Sequence, residues 1–301
     1  MIRVFDKLGP AILTVSISIA IAPRVTAATY NLNAEQNTII GSVLFHRVGA
    51  KDDFASIALS HQIGFDALVA ANPGVNPWYP GTDKTIYLPM QHILPDAEHD
   101  GIVVNLPEKR MYYFDHSHKK VHTFPVGIGR TGWETPIADT RVTTVQKNPV
   151  WRPPQSVIDE YRSAGLSLPS VVPAGPDNPL GDRVIRLELP GYLLHGTNNP
   201  EGVGLRVSHG CIRLYPADIR QLAELVAPGT RVQIINQPVK WAQSKQGLQL
   251  EAHRPLSTDR PNKTAGYAHL VKHSPRLKNW LVNKRNKQQL FSGMPQSVPN
   301  F

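Results

Sequence analysis

Residues 195–214 of the 301-residue chain read HGTNNPEGVGLRVSHGCIRL and contain its only cysteine, Cys211. The apolar residues 192–194 before this stretch are typical of a strand. Polar and apolar residues then alternate over 211–214, which predicts a second extended segment after a glycine-containing loop. We therefore expect His195, sixteen positions before the cysteine, to meet Cys211 across neighbouring strands.

The residue types in this stretch suit nucleophilic catalysis. A thiol attacks as the thiolate, and a neighbouring imidazole can take its proton. Glycine lets the backbone approach a substrate closely and leaves amide N–H groups free to bind an oxyanion. A single cysteine is also often a small buried apolar residue. The residue types alone therefore leave a structural role open.

Two segments of the stretch, HGT at 195–197 and SHGCIRL at 208–214, resemble the active-site signature of the YkuD-type L,D-transpeptidases. These are bacterial enzymes that cross-link peptidoglycan or attach protein to it. The resemblance implies that Cys211 is the nucleophile and that His195 is the general base and acid.

The same resemblance implies roles for the neighbouring residues. The carbonyl of Gly196 would orient the imidazole, and the amide of Gly210, with that of the cysteine, would lie near the oxyanion. His209 would shape the site, and Ser208 would contact the substrate. Arg213 would meet a substrate carboxylate or form a structural ion pair, and the sequence leaves both interpretations open.

Three further segments match this family: residues 129–136, 148–154 and 174–181. The family usually has glycine two positions after its Thr-Pro pair, where this chain has Ala138. Trp133 and Trp151 lie within these segments and are candidates for lining the substrate groove. A packing role for each tryptophan is the alternative.

Residues 101–236 consist of short apolar segments separated by turn residues, which predicts a compact all-β body. One clear helix is predicted over 216–226, where Pro216 suits the first turn and Pro228-Gly229 ends it. The resemblance implies a YkuD-type catalytic domain, sandwich-like or barrel-like. The predicted fold class is therefore mainly β.

Residues 41–90 have a different pattern, with a predicted β-α-α-β order over residues 42–48, 54–59, 65–72 and 85–89. This order resembles a LysM domain, a module that binds glycans containing N-acetylglucosamine. Lys51 and Asp53 depart from the residues usual in that family. Asn72, Trp78 and Tyr79 are the candidate glycan-binding residues, although aromatic residues in a small domain also form its core. The polar residues 91–100 are predicted to be a linker.

The first segment, 1–28, is predicted to be a signal peptide. Basic Arg3 and Lys7 precede an apolar run over 11–22, and small residues follow at 25–28. The run is shorter than the roughly 20 residues that a membrane-spanning helix needs. We therefore expect cleavage after Ala27 or Ala28 and a periplasmic mature protein.

The tail, 237–301, is strongly basic. Residues 239–301 contain eleven Lys or Arg and two acidic residues, an excess of nine that equals the net charge of +9 of the whole chain. Residues 239–267 lack apolar periodicity and are predicted to be disordered, and residues 270–290 are predicted to form a short basic amphipathic helix. Such a tail suits an anionic surface or no specific partner.

These predictions favour an exported peptidoglycan L,D-transpeptidase that needs no metal or cofactor. By the resemblance, its partners are stem peptides and glycan, and its acceptor is a second diaminopimelate, a lysine of an outer-membrane lipoprotein, or water, which would make it a carboxypeptidase. The alternative class is a non-catalytic peptidoglycan-binding protein. A metal site at His195, His209 and Cys211 lacks a fourth ligand, and an exported chain is not expected to bind nucleic acid.

Overall fold

The computed structural model describes residues 28–32, 38–245, 247–256 and 291–297. The predicted signal peptide, except for Ala28, lies outside the described residues, as does the predicted amphipathic helix of the tail. Among the described residues, no single helix is long and apolar enough to cross a membrane. One bent helix pair, 54–61 with 65–71, meets that criterion by length and composition only.

The described residues form the following α-helices and β-strands: β1 Ala28–Asn31, β2 Ile39–Ile40, β3 Leu44–Arg47, α1 Phe54–His61, α2 Phe65–Ala71, β4 Thr85–Leu88, β5 His92–Ile93, β6 Gly101–Asn105, β7 Arg110–Asp115, β8 Lys120–Pro125, β9 Ile128–Gly129, β10 Ala138–Lys147, α3 Gln155–Ser163, β11 Arg183–Leu187, β12 Leu193–His195, β13 Arg206–Ser208, β14 Ile212–Arg213, α4 Pro216–Leu225, β15 Arg231–Ile235, β16 Val239–Ser244, β17 Gly247–Ala252 and β18 Gln296–Ser297.

The body of the molecule is a nine-stranded sheet with the order β1-β8-β7-β6-β15-β10-β11-β12-β14. Strands β9 and β13 form a separate parallel pair beside it. The apolar face of the sheet carries Ile185, Leu194 and Ile212, which lie in register on β11, β12 and β14. Helix α4 covers this face with Ile219 and Leu222. The prediction of a mainly β fold is therefore confirmed.

The helix predicted over 216–226 is present as α4. A second helix in this body, α3, was not predicted. Val157 is its only buried residue, so little of this helix packs against the core. The segment that carries α3 lies between β10 and β11, and β11 pairs with β12 of the functional stretch.

Residues 41–90 have the predicted order of elements, β3-α1-α2-β4, with β3 and β4 antiparallel. Asp53 caps α1, because its carboxylate accepts from the Ser56 amide and the Ser56 hydroxyl accepts from the Asp53 amide. Phe54 and Leu68 lie in the small apolar core between the helices. We call residues 41–90 the helical module.

The helical module is inserted between two strands of the large sheet. Strand β1 pairs with β8 before the module begins, and β6 continues the same sheet after it ends. Strands β2 and β5 pair with each other at the base of the module. The linker prediction for 91–100 is therefore wrong at 92–94, which are buried. Strand β5 has only two residues, which is too few for an alternation of polar and apolar residues to be recognised in the sequence.

The prediction of disorder from residue 239 is also wrong for the part of the tail that is described. Residues 239–244 and 247–252 form the antiparallel pair of β16 and β17, and β18 adds a third strand. The charged residues Lys240 and Glu251 of this hairpin are buried inside it as an ion pair 2.9 Å apart, a role that their sequence context does not indicate.

Candidate active site

Parallel pairing of β12 with β14 brings the two halves of the functional stretch together. Leu194 lies opposite Ile212, and His195 lies opposite Arg213. Because side chains alternate along a strand, the residues beside Leu194 and Ile212 point away from the apolar core. Leu193, His195, Cys211 and Arg213 accordingly line one cavity of about 710 Å³. The structure thus places His195 on β12 and Cys211 directly before the neighbouring β14, at one cavity.

His195 is buried at the end of β12, and its Nδ1 lies 2.6 Å from the carbonyl oxygen of Gly196. This contact assigns the proton to Nδ1 and leaves Nε2 as the basic nitrogen. Burial, followed by the charge of Arg213, lowers the pKa of His195 to about 3. The imidazole is therefore neutral at physiological pH and able to accept a proton.

Cys211 is half-buried between the turn and β14, and its Sγ donates to the carbonyl of Gly191 at 3.6 Å. Burial raises the pKa of the thiol, whereas a backbone hydrogen bond with Leu193 and the charge of Arg213 lower it. Because burial is the largest of these effects, the resting group is a thiol. A base must therefore remove its proton before it can attack.

The turn before Cys211 is fixed by hydrogen bonds to its own backbone. The hydroxyl of buried Ser208 donates to the Cys211 carbonyl at 2.5 Å and accepts from the Gly210 amide at 3.2 Å. The hydroxyl of Thr135 donates to the Gly210 carbonyl at 2.7 Å. The Gly210 amide is thus engaged within the turn, and the oxyanion role implied for it is not evident in this geometry.

Gly210 is required in this turn for conformational and steric reasons. Its φ of +102° lies in the left-handed region that side chains rarely adopt. A Cβ at this position would lie 2.9 Å from Cε1 of Tyr192, the residue before β12. The turn and the strand that carries His195 are therefore in direct contact at this point.

His209 is held by two charged residues that sequence reasoning missed. Its Nε2 donates to Glu160 of α3 at 2.8 Å, and Arg130 donates to the same carboxylate at 2.6 Å. The ring of Trp133 meets the His209 ring edge-on, with 4.8 Å between centroids. Hydrogen bonds from Arg130 and then His209 lower the pKa of Glu160. Arg130 lies in a matched segment, but nothing in the sequence near Glu160 indicates that α3 reaches the site.

The remaining wall of the cavity comes from the predicted tryptophans and from three arginines. Trp133 and Trp151 both line it, and Trp151 also forms a backbone bridge with Val172. Arg152, Arg186 and Arg213 lie on the same wall. The buried Nε of Arg213 has no hydrogen-bond partner among the described residues. The cavity is therefore basic and partly aromatic.

The three candidate glycan-binding residues of the helical module fall into two groups. Asn72 is buried, and its amide group bonds to the backbone of Leu68 once and of Tyr87 twice. Its assignment to glycan binding is therefore wrong, because the side chain fixes α2 to β4. Trp78 and Tyr79 are 60 % and 82 % exposed.

A second group of ionisable side chains lies away from the cavity. Atoms of His92, Glu108 and Glu251 approach within 4.8 Å of one another and are buried. The Nζ of Lys240 lies 2.8 Å from Glu108 and 2.9 Å from Glu251, in the place that a cation would take. Burial is the largest single effect and raises the pKa of both carboxyls, but the charge of Lys240 together with the interactions of His92 and His253 holds both below the usual range.

Comparisons with known proteins agree with this geometry. The family model of the YkuD L,D-transpeptidase catalytic domain matches residues 99–234. The chain is 43% identical over 251 residues to the probable L,D-transpeptidase YcfS of Escherichia coli K12, covering 81% of this chain and 78% of the relative.

Two further relatives from Escherichia coli K12 are similar over most of their length. The probable L,D-transpeptidase YbiS is 42% identical, with 77% of each chain covered. The probable L,D-transpeptidase ErfK/SrfK is 39% identical, with 90% of this chain and 91% of the relative covered. The chain, with a histidine and a cysteine on one wall of a basic cavity, belongs to the YkuD family of L,D-transpeptidases.

Proposed function

We propose that the enzyme acts on peptidoglycan stem tetrapeptides through a thioester on Cys211. The observation that carries the proposal is the shared wall on which a neutral His195 and the Cys211 thiol face one cavity. The donor is the peptide bond between diaminopimelate and the terminal D-alanine. The thiol sulfur attacks the carbonyl carbon of diaminopimelate in this bond.

His195 carries the proton in both half-reactions. Its Nε2 takes the proton of the thiol as the C–S bond forms, and it passes that proton to the amine of D-alanine as the C–N bond breaks. An incoming amine then attacks the thioester, His195 accepts a proton from it, and the thiol recovers that proton as it leaves. The Gly196 carbonyl holds the ring in the tautomer that this sequence needs.

The charge of Arg213 acts on both reacting groups, because it assists formation of the Cys211 thiolate and opposes protonation of His195. Arg213 lies opposite His195 in the strand register and lowers the pKa of both His195 and Cys211. A positive charge favours the neutral imidazole over the imidazolium and the thiolate over the thiol. The guanidinium of Arg213 lines the cavity and suits a carboxylate of the substrate, such as that of the leaving D-alanine.

Two amines fit as acceptors. The side-chain amine of a second diaminopimelate would give a cross-link between stem peptides, and a lysine of a wall-anchored lipoprotein would give a protein–wall bond. Water would give only trimming of the donor. Either acceptor places the enzyme in the periplasm, in line with the signal peptide predicted over 1–28.

The helical module is proposed to bind glycan in the manner of a LysM domain. Trp78 and Tyr79 offer exposed aromatic rings on the loop between α2 and β4, and Trp78 is backed by Phe65, with 5.6 Å between ring centroids. Aromatic faces stack on the apolar face of a sugar. A pull-down on insoluble peptidoglycan should lose binding with Tyr79→Ala, whereas Phe45→Ala, at another exposed aromatic residue on β3, should retain it.

The test of the catalytic proposal is a turnover assay with a purified disaccharide-tetrapeptide. The products should include free D-alanine together with a dimer joined through two diaminopimelates, or a lysine adduct when a lipoprotein is supplied. Release of D-alanine with tripeptide alone would identify a carboxypeptidase. Absence of both products, with retained binding to peptidoglycan, would support the non-catalytic alternative.

A further inference from the structure

One row of side chains crosses the sheet from Cys211 to an arginine that the chemistry above does not use. On β11 and β12, Arg186 pairs with Leu193. On β12 and β14, Leu194 pairs with Ile212, so the same register places Leu193 beside Cys211. Laterally adjacent residues of a sheet point to the same face. Arg186, Leu193 and Cys211 therefore form one row, and all three line the cavity.

The spacing of this row follows from sheet geometry. Neighbouring strands lie about 4.8 Å apart, so the backbones at Arg186 and Cys211 are about 10 Å apart. Leu193 lies between them, half-buried, and gives the middle of the row an apolar surface. Along the row, the thiol of Cys211 is followed by the apolar side chain of Leu193 and then by the guanidinium of Arg186.

The guanidinium of Arg186 is available for a ligand. The residue is exposed at the end of the row and forms no ion pair with any of the described residues. Its one hydrogen bond is a long contact of 3.4 Å to the side-chain oxygen of Gln146. By contrast, Arg183 at the start of the same strand is paired with Asp182.

We infer that Arg186 binds the distal carboxylate of the diaminopimelate in the donor, an inference that rests on the proposed function. In diaminopimelate, three methylene groups separate the carbon next to the attacked carbonyl from the carbon that bears the distal carboxylate. With the carbonyl at Cys211, the methylenes lie over Leu193 and the carboxylate reaches Arg186. Arginine suits this role because its planar fork matches a carboxylate.

This assignment makes Arg186 a specificity residue. Lysine is diaminopimelate without the distal carboxylate, so a lysine-containing tetrapeptide offers the same chain with nothing for Arg186 to bind. The thiol, the imidazole and the Leu193 surface meet both donors equally. The enzyme should therefore prefer the diaminopimelate donor, and the preference should reside in Arg186.

The experiment measures acylation rates of Cys211 with the two donors in the whole protein. We expect the wild-type enzyme to acylate about tenfold faster with the diaminopimelate donor, the size expected of a charge-assisted contact at an exposed position. Arg186→Gln should lower the rate with that donor about tenfold and leave the rate with the lysine donor unchanged. Arg152→Gln, which removes another positive charge from the same cavity, is the matched control and should retain the preference.

The outcomes separate this inference from the proposed function. A carbapenem, which lacks the diaminopimelate chain, should label Cys211 equally in wild type, Arg186→Gln and Arg152→Gln. Equal wild-type rates with both donors, or equal losses in Arg186→Gln and Arg152→Gln, would overturn the inference alone. A wild-type enzyme that the carbapenem labels but neither donor acylates would overturn the proposed function as well.

Discussion

Two buried groups of ionisable side chains differ in how their charges are matched. In the cavity, His195 and Cys211 have few partners, and Arg213 leaves a buried nitrogen unpaired. In the C-terminal cluster, Lys240 contacts both Glu108 and Glu251 within 2.9 Å. Both groups are largely removed from water. The reactive groups of the first line a cavity and have no oppositely charged partner among the described residues, whereas in the second Lys240 is paired with both carboxylates.

This difference indicates that the cavity serves the reaction and that the C-terminal cluster stabilises the fold. Burial lowers the pKa of His195 and raises the pKa of Cys211. Both groups are therefore neutral before the reaction, as a general base and an unreacted thiol are. Matched charges in the cluster connect the β16–β17 hairpin to the turn between β6 and β7. A change in the cavity should therefore alter rates, and a change in the cluster should alter stability.

Replacement of Cys211 with alanine should produce the largest effect. Turnover of the tetrapeptide should fall at least about 10⁴-fold, because removal of a nucleophile leaves only binding and orientation. The free energy of unfolding should change by less than about 1 kcal/mol, since the side chain is small and half-buried. The measurements are D-alanine release and urea denaturation. Full activity in Cys211→Ala would contradict the assignment of the nucleophile.

Replacement of Lys240 with methionine should have the opposite result. Two buried carboxylates would lose their shared cation, which should lower the free energy of unfolding by about 3–5 kcal/mol. Lys51→Met, at an exposed position, is the control and should change stability by less than about 0.5 kcal/mol. Folded Lys240→Met protein should keep the acylation rate of the wild type. A large loss of acylation rate at unchanged stability would contradict the assignment of a purely structural role to this cluster.

Replacement of Gly210 with alanine tests how finely the cavity is positioned. The added methyl group would press on Tyr192 and displace the turn, which should lower the acylation rate by about 10- to 100-fold. Gly229→Ala is the matched control, because Gly229 has a similar φ of +91° but nothing within 4 Å of its Cβ position. If both variants lost rate equally, strain would explain the effect and contact with Tyr192 would not.

Asp218 on α4 offers a third case, a buried carboxyl without a hydrogen-bond partner among the described residues and outside the cavity. Burial raises its pKa to about 8, with a smaller opposing effect of Arg110. The folded state thus holds a proton that the unfolded state releases near pH 4, and this contribution to stability is lost as pH rises from about 4 through 8.

Asp218→Asn should therefore increase the free energy of unfolding by about 1–3 kcal/mol at pH 8. The gain should shrink as pH falls toward 4. Denaturation curves between pH 4 and 9 measure it, with exposed Asp96→Asn as the control. A gain that does not depend on pH would show that Asp218 is not protonated in the folded protein.

The sequence predicted the elements that follow strong local patterns. The strand–loop–strand arrangement around Cys211 was predicted from glycines and alternation, and α4 from its helical period and its prolines. The order of elements in the helical module was predicted for the same reason. In each case, the spacing of apolar residues and the positions of turn residues indicate the same element within one continuous stretch of sequence.

The elements that were missed depend on contacts between distant residues. The hairpin of β16 and β17 contains a buried Lys240, which reads as a surface residue until its partners at 108 and 251 are known. Glu160 reaches His209 from a helix 49 positions earlier. Asn72 was assigned to glycan binding through the resemblance to a LysM domain, whereas its side chain joins α2 to β4 by hydrogen bonds to the backbone of Tyr87.

The measurement that tests the central claim most directly is the mass of the intact protein after incubation with a disaccharide-tetrapeptide. The account predicts a mass gain equal to the donor minus D-alanine, located on the peptide that contains Cys211 and absent in Cys211→Ala. An unchanged mass in the wild type, with no labelling of Cys211 by a carbapenem, would contradict the thioester mechanism and favour a wall-binding role.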